Sequence, residues 1–498
     1  MRHRKFHVLV ILVLITISCV QVLPHTPTPT VEPLTETAAV PPTTPPIEAE
    51  AGAPGLGDSL YPSFGNGGYD VQHYTLDLTV NNVKTSDLDG ITIIEAKATG
   101  NLSSFNLDFI GFEITSVTVN AEPADFERQE QELIITPSMP LAENESFTVE
   151  VQYEGSPEEM NSVALPVQTG WINFDKGSFV MSEPDGAASF YPVNDHPLDK
   201  ATYTFRVTVP KPFEVAANGA LKESTDNGDT TTYVFAARDP MASYLATINI
   251  GDFDTETMES ASGVLIRNYY ETGLPEDVNK PFARQGEMLD YFSQIFGSYP
   301  FEIYGSLVLN VEAGTALENQ TLSVYGSDMI DPQNVQETEL TVAHELSHQW
   351  FGDSVSVADW GDIWLNESFA TYSEGLWIEH TEGRAALDDW IKDVYGFIRE
   401  NHQDFSPPGE PPADDLFNAG VYYWGALGLH ALRLEAGDEA FFEILSTYYE
   451  RYEGGNARTA DFIAVAEEVT GKDLEAFFEG WLYSEALAPI PALGLQSQ

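Results

Sequence analysis

Apolar and polar residues alternate over short runs in the first half of the chain and recur at helical spacing in the second half. The alternating runs include YDVQHYTLDLTV at 69–80, ITIIEAKAT at 91–99 and ATYTFRVTV at 201–209, with Gly, Asn, Pro and Asp clusters between them. Alternation with a period of two residues is typical of strands that bury one face. The pattern therefore predicts an antiparallel β-sheet domain over residues 61–255.

The pattern changes after Gly251, where apolar residues begin to follow helical spacing, as in the stretch from Phe282 to Phe296. A strand-like piece, SLVLNVEA, comes next. The helical segments that the spacing predicts are 336–352, 364–381, 386–400, 420–435, 438–450 and 459–483. We therefore predict a second, mainly helical domain over residues 256–498, which makes the fold class α+β with more than one domain.

The first 60 residues have the composition of an export signal and a tether. A basic start and a short apolar run ending at Cys19 predict a signal peptide over residues 1–19. Residues 20–60 are rich in Pro and Thr, which favours an extended linker without a core. The position of Cys19 resembles a bacterial lipoprotein signal. We expect an extracytoplasmic protein anchored to a membrane through lipidated Cys19, with ordinary secretion as the alternative.

Composition and charge exclude several classes of protein. The 498 residues are 43% hydrophobic and 12% aromatic, enough for large cores and unlike an acidic disordered chain. The formal net charge is −56, and so negative a surface would be repelled by phosphate backbones; we expect no nucleic-acid partner. A single Cys makes neither an internal disulfide nor a thiolate metal site.

One string, TVAHELSHQWFGDSVSVADWGDIWLNESFATYSE, contains the pattern of a metal site. His344 and His348 lie four residues apart, so on a helix both imidazoles face one cation. Glu367 lies nineteen residues further on in the next predicted helix, from which it can supply a third ligand. Two histidines and a glutamate are a zinc set that keeps a position open for water, and Glu345 stands where it can take a proton from that water.

The same string, together with three others, resembles the gluzincin zinc aminopeptidases, the aminopeptidase N and leukotriene-hydrolase family. The other strings are TALEN at 315–319, YYWGALGLHALR from residue 422, and FYPVNDHPLDKATYTF in the β region. The resemblance covers about residues 65–485 and implies a saddle-like β domain followed by a thermolysin-like catalytic domain that binds one Zn²⁺. It also implies a short form of the family, without the C-terminal helical domain.

The resemblance assigns roles to residues at the matching positions. Tyr422 would stabilise the oxyanion of the tetrahedral intermediate, and Glu318 would bind the substrate's free α-amine. The further substrate-binding positions are Ala316, Asn319 and Glu183. Glu374 lies two helical turns after Glu367, where it can hydrogen-bond a zinc-binding histidine. The chain departs from the family pattern at Thr315, Leu317, Ser368 and Trp424.

The predicted function is therefore a zinc aminopeptidase that removes N-terminal residues from peptides with a free N-terminus. Two alternatives stay open at this point. One is another zinc hydrolase on the same site, such as an endopeptidase or an epoxide hydrolase. The other is a non-catalytic surface-binding or scaffold protein on the same fold, which the four departures from the family pattern would favour.

Overall fold

The computed structural model describes residues 48–496. The predicted signal peptide, Cys19 and most of the predicted linker lie outside this range. Within the described part of the chain, no helix combines the length and the apolar character needed to cross a membrane.

The first domain is built almost entirely of strands. They are β1 (Glu50–Ala51), β2 (Tyr69–Asn82), β3 (Asp87–Ala98), β4 (Leu102–Asp108), β5 (Glu113–Val119), β6 (Glu122–Pro123), β7 (Asp125–Gln129), β8 (Glu132–Thr136), β9 (Ser146–Gly155), β10 (Met160–Asn161), β11 (Gln168–Phe174), β12 (Gly177–Met181), β13 (Ala201–Pro210), β14 (Glu214–Ala217), β15 (Ala220–Asp226), β16 (Thr230–Met241) and β17 (Ile248–Gly251). The largest sheet has eight strands in the order β15-β16-β13-β2-β3-β9-β5-β6. Two smaller sheets follow the orders β1-β4-β8-β7 and β10-β11-β12-β17-β14.

The alternating sequence pattern explains which face of the large sheet is buried. In β2 the side chains of Tyr74, Leu76 and Leu78 are fully buried, while the residues between them are partly exposed. Most pairs in this sheet are antiparallel, as predicted. The exception is β13, which pairs in parallel with β2 so that Tyr203 lies opposite Tyr74. A parallel neighbour needs a long crossover, which the intervening strands provide.

The second domain combines a mixed sheet with helices. Its strands are β18 (Phe253–Glu259), β19 (Leu265–Glu271), β20 (Ile303–Val308), β21 (Ala316–Leu317), β22 (Ser323–Tyr325), β23 (Ser356–Val357) and β24 (Asn456–Ala457). The first five form a sheet in the order β18-β19-β20-β22-β21, which leaves β21 at an edge. Because β18 pairs with β19 along its whole length, the residues at the predicted domain boundary belong to this second sheet.

The helices are α1 (Gln285–Phe296), α2 (Val335–Ser347), α3 (Trp364–Glu382), α4 (Arg384–Asn401), α5 (Gly425–Ala436), α6 (Asp438–Tyr452), α7 (Thr459–Thr470) and α8 (Glu475–Phe478). Two π-helical turns cover Gly420–Trp424 and Glu479–Tyr483. Short 3₁₀ turns lie at Ala187–Ser189, Ser243–Leu245, Lys280–Phe282, Ser327–Met329, Trp360–Asp362, His402–Asp404 and Pro491–Leu493.

The prediction of one helical segment over 459–483 is wrong at Gly471. This glycine has φ +64°, and its N–H donates to the Glu467 carbonyl, which ends α7. A left-handed glycine after the last turn is a common helix terminus, and the chain restarts as α8 in a new direction.

The end of the predicted linker contacts both domains. Strand β1 pairs with β4, and Asp58 then accepts hydrogen bonds from His196 Nε2 at 3.2 Å and from the Trp360 N–H at 2.7 Å. His196 belongs to the β domain and Trp360 to the helical domain. The segment around Asp58 therefore links the two domains next to the start of α3.

Candidate active site

The two histidines of the H-E-x-x-H motif lie at the C-terminal end of α2, and their imidazoles face Glu367 of α3. His344 Nε2 and His348 Nε2 lie 3.3 and 3.6 Å from Glu367 Oε2, and the three donor atoms all fall within 4.8 Å of one another. The other ring nitrogens have partners, since His344 Nδ1 lies 2.9 Å from Glu374 Oε1 and His348 Nδ1 lies 3.0 Å from the Phe351 carbonyl. These bonds aim both Nε2 atoms at the same point.

The donor set fits zinc. Two ligand atoms about 2.0–2.1 Å from one ion, at tetrahedral angles, are about 3.3–3.4 Å apart, which matches the His344–Glu367 and His348–Glu367 separations. Burial opposes charge on Glu367, yet the two histidines hold the pKa of its carboxyl at about 2. It is therefore an anionic ligand at neutral pH, and the hydrogen bond from His344 Nδ1–H to Glu374, predicted from helix spacing, is present.

Glu345 follows the first histidine on α2 and lines the cleft beside the metal site. Burial raises the pKa of its carboxyl to about 7, although His344 and His348 oppose the shift. A carboxyl whose pKa lies near neutral pH can accept a proton and return it in the same turnover. The position suits a general base that later acts as an acid.

Tyr422 lies on the opposite wall, with its ring stacked at 6.0 Å from the ring of His344. Burial, with nearby carboxylates such as Glu367, raises the pKa of its phenol well above the usual range. It therefore stays protonated and can donate a hydrogen bond to an anion in the cleft. Its neighbour Tyr423 is 37% exposed and turns toward the cleft mouth.

The π-helical turn that holds Tyr422 is fixed by a residue of α3. Ser368 Oγ donates to the Val421 carbonyl at 2.5 Å, one residue before Tyr422. The bond is possible because residue 425 is glycine: a Cβ there would lie only 1.7 Å from Ser368 Oγ. Ser368 directly follows the metal ligand Glu367, and Val421 directly precedes Tyr422. This hydrogen bond therefore links the metal ligand to the tyrosine through their neighbours in the sequence.

The closed end of the cleft (Glu183, Glu318 and Tyr244) lies beyond His348. Glu318 is 2% exposed and accepts a hydrogen bond from the Tyr244 hydroxyl at 3.3 Å. Its backbone carbonyl accepts from Gln349 Nε2 at 2.8 Å. The closed end therefore places carboxylates where water has little access.

The two carboxyls of the closed end share one electrostatic environment. Burial raises the pKa of Glu318, and burial together with the charge of Glu318 raises the pKa of Glu183 well above its usual range. Glu183 Oε1 is buried without a hydrogen-bond partner. Clustered, desolvated carboxyls lacking a cation form a site that a bound ammonium group would complete.

Two further predicted substrate-binding residues have different positions. Ala316 lies in the edge strand β21 and lines the cleft. Asn319 does not line the cleft: its side-chain amide donates to the Leu245 carbonyl at 3.0 Å. Its side-chain amide therefore contacts the protein next to Glu318, and binding of substrate by Asn319 stays a prediction.

Three residues at the site were not predicted. Tyr244 comes from the β domain and shows no motif of its own in the sequence. Gln349 and Ser368 lie inside the recognised string, and only the fold shows that they hold Glu318 and the Tyr422 turn. The cleft itself has a volume of about 500 Å³ and is lined from both domains.

Family models match most of the described body. A Peptidase M1 N-terminal domain matches residues 70–245, and a Peptidase family M1 domain matches residues 281–481. The β domain, the helical domain and the buried His₂Glu site define a zinc metallopeptidase architecture. The chain belongs to peptidase family M1.

Relatives and solved structures agree with this membership. Aminopeptidase N of Streptomyces lividans is 26% identical over 77% of this chain and 46% of its own length. Glutamyl aminopeptidase of Sus scrofa is 30% identical over 60% of this chain and 34% of its own. The chain thus spans about half the length, or less, of these curated relatives.

Crystal structures of an M1 zinc metallopeptidase from Deinococcus radiodurans are similar over nearly their full length. The identity is 34%, the TM-score is 0.80, and the match covers 88% of this chain and 99% of that one. A variant of that protein was crystallised with a Tyr-Ser-Ala substrate.

Proposed function

We propose that the protein is a zinc-dependent aminopeptidase that hydrolyses the first peptide bond of peptides with a free N-terminus. The observation that carries the proposal is the closed end of the cleft, where buried Glu318 and half-buried Glu183 lie next to the His344–His348–Glu367 metal site. The substrate complex of the Deinococcus protein supports a peptide as the substrate.

Each residue of the site has its own role in the proposed reaction. His344, His348 and Glu367 would hold zinc, which supplies a Lewis acid that polarises the scissile carbonyl and makes water more acidic. Glu345 takes a proton from the attacking water and then delivers it to the leaving amine. Tyr422 donates its phenolic proton in a hydrogen bond to the oxyanion that forms at the carbonyl.

The closed end limits hydrolysis to the first residue. The α-ammonium of the substrate pairs with Glu318 and Glu183, so the first carbonyl reaches Glu345 and Tyr422. An N-acetylated peptide brings no charge, and its binding would leave these carboxylates desolvated and unpaired. Blocked peptides should therefore be very poor substrates, which separates an aminopeptidase from an endopeptidase.

A substrate panel tests this function. Purified protein should release amino acids from aminoacyl amides, lose the activity with a chelator and regain it with zinc. N-acetylated counterparts should not be cleaved. Glu345→Gln should lower the rate by about 10²- to 10⁴-fold, whereas Glu382→Gln, at the exposed end of α3, should not change it. Release of nothing from the whole panel, or full activity of Glu345→Gln, would overturn the proposal.

We also propose that the protein is exported and anchored through lipidated Cys19. The support is the sequence of the first 19 residues, with a basic start, a short apolar run and the chain's single cysteine at its end. The wild-type protein should incorporate labelled fatty acid and sediment with membranes, and Cys19→Ser should do neither. Equal labelling of both proteins would contradict the anchor.

A further inference from the structure

Helix α2 gives the direction of the cleft relative to the metal site. Gln349, just beyond its C-terminal end, holds the backbone of Glu318, so the closed end lies at that end of the helix. Toward the N-terminus of the helix the cleft is lined by Thr341, Leu340 and Glu337. At a rise of about 1.5 Å per residue, Leu340 lies about 6 Å and Glu337 about 10 Å along the axis from His344.

A peptide bound by its amino group at Glu318 therefore continues along α2 toward Glu337. An extended chain advances about 3.3–3.6 Å per residue. The residue after the scissile bond then lies beside Leu340 and Thr341, and the following residue lies toward Glu337. This step rests on the proposed function, because it takes the amino group to be at the closed end.

Three aromatic side chains from outside α2 also line the cleft. We call them the aromatic wall, which consists of Trp390, Phe417 and Tyr423. The ring of Trp390 lies against α3 at Gly375, where a Cβ would come within 2.9 Å of it. Trp390 can approach α3 so closely only because residue 375 has no side chain.

The aromatic surface continues from the cleft onto the outside of the protein. Tyr423 and Phe397 are 37% and 43% exposed, and their ring centroids are 5.8 Å apart. Phe405 packs on the other side of Phe397 at 5.7 Å. Exposed aromatic rings that adjoin a cleft are typical of a surface that binds a ligand.

The charge on this side of the cleft is negative. Glu374 and Glu337 line it, and none of the cleft-lining residues in the described part of the chain is a lysine or an arginine. A carboxylate placed next to Glu337 and Glu374 would be repelled, and no lysine or arginine of the described cleft lining would offset the repulsion. Both the free C-terminus of a dipeptide and an acidic side chain would bring such a carboxylate.

We propose that the aromatic wall, together with Leu340 and Thr341, binds the side chain that follows the scissile bond and selects apolar, above all aromatic, residues there. Glu337 and Glu374 exclude carboxylates from the same place. The preferred substrates are peptides of three or more residues with an aromatic second residue, and free dipeptides are disfavoured.

A series of matched substrates tests the proposal on the wild-type protein. All share N-terminal alanine: Ala-Phe-amide, Ala-Gly-amide, Ala-Glu-amide, the free dipeptide Ala-Phe, and alanine amide. We expect kcat/KM for Ala-Phe-amide to exceed that for Ala-Gly-amide by about tenfold or more. The free dipeptide and Ala-Glu-amide should both have a lower kcat/KM than Ala-Phe-amide. High salt should reduce this difference in kcat/KM, because it screens the repulsion between carboxylates.

Two variants test the wall and the charge separately. Tyr423→Ser, at an exposed position, should reduce the ratio of Ala-Phe-amide to Ala-Gly-amide by about three- to tenfold. The matched control Phe126→Ser replaces an equally exposed aromatic residue of the β domain and should leave the ratio unchanged. Glu337→Gln should raise kcat/KM for the free dipeptide Ala-Phe relative to Ala-Phe-amide, whereas Glu382→Gln should leave this ratio unchanged.

The outcomes separate this inference from the proposed function. If no alanyl substrate is cleaved, including alanine amide, the aminopeptidase function fails. If alanine amide is cleaved but the Phe, Gly and Glu amides react equally, the downstream binding site is wrong while the function stands. Equal rates for Ala-Phe and Ala-Phe-amide would overturn the exclusion of carboxylates.

Discussion

The two ends of the cleft differ in how deeply their polar groups are buried. At the closed end Glu318 is 2% exposed and is held by Tyr244 and Gln349, so its charge is desolvated and its position is fixed. At the other end Tyr423 is 37% exposed and Glu337 lies at the surface. A buried charge that loses its partner costs several kcal/mol of binding free energy, whereas an exposed charge contributes about 1 kcal/mol or less. The closed end should therefore decide whether a peptide is cleaved, and the open end how fast.

Removing the charge of Glu318 should have the strongest effect. Glu318→Gln keeps the shape but leaves the substrate ammonium without its buried partner, which costs about 3–5 kcal/mol. We expect kcat/KM for alanine amide to fall by about 10²- to 10⁴-fold. Glu312→Gln, which changes an exposed acid in the loop before β21, is the control. A fall of less than threefold would mean that Glu318 does not bind the amine.

Tyr422 lies between the two ends and should affect the chemical step more than binding. Tyr422→Phe removes the hydrogen bond to the oxyanion and should lower kcat by about 10²- to 10³-fold, with a smaller change in KM. Metal content should stay at that of the wild type, because Tyr422 is not a ligand. Unchanged kcat would assign the oxyanion contact to another group.

At the closed end, burial raises the pKa of carboxyl groups. Asp199, which lies away from the metal site, allows the same effect of burial to be measured on its own. Burial raises the pKa of Asp199 to about 7 from 3.8, although the Val71 N–H and Asn194 donate to it. The folded state thus binds more protons than the unfolded state between these pH values, and this group's contribution to stability is lost as pH rises through about 7.

Asp199→Asn should therefore become more stable relative to the wild type as pH rises. From pH 5 to pH 7 we expect a relative gain of about 2 kcal/mol in the free energy of unfolding. Denaturant unfolding of both proteins at several pH values measures it. A difference that does not vary with pH would show that burial does not control the charge of Asp199.

Ser368 should have the mildest effect, because it acts only through the position of Tyr422. Ser368→Ala removes one buried hydrogen bond, worth about 1 kcal/mol, and should lower kcat by about three- to tenfold while leaving KM and zinc content unchanged. Ser373→Ala is a matched control on the same helix, since Ser373 Oγ bonds only the Phe369 carbonyl. Equal kcat for Ser368→Ala and wild type would mean that the π turn holds Tyr422 without help.

What could be predicted from the sequence was local. The i, i+4 spacing of His344 and His348 follows from helix geometry, and the alternation of β2 follows from strand geometry. Glu374 was predicted to contact a zinc histidine from its spacing to Glu367, and it lies 2.9 Å from His344 Nδ1. In each case the relevant residues lie on one regular element or on two neighbouring helices.

What could not be predicted depends on contacts between distant segments. Tyr244 reaches Glu318 across 74 residues of chain, and Trp390 faces the cleft because Gly375 lets α4 approach α3. The side-chain amide of Asn319 donates to the Leu245 carbonyl across 74 residues of chain, a contact that the motif around Asn319 does not show. Such placements follow from packing between elements, for which the hydrophobic pattern carries no signal.

The hydrogen bonds of Asp58 have a mechanical consequence. The residues before Asp58 lead back to the proline-rich segment, and Asp58 itself is bonded to His196 in one domain and to the Trp360 N–H in the other. A pull on that segment would first load the pairing of β1 with β4 in the β domain, and only then Asp58 and the seam between the domains. Strand β1 would therefore shield the contact between the two domains from tension on the chain that precedes it.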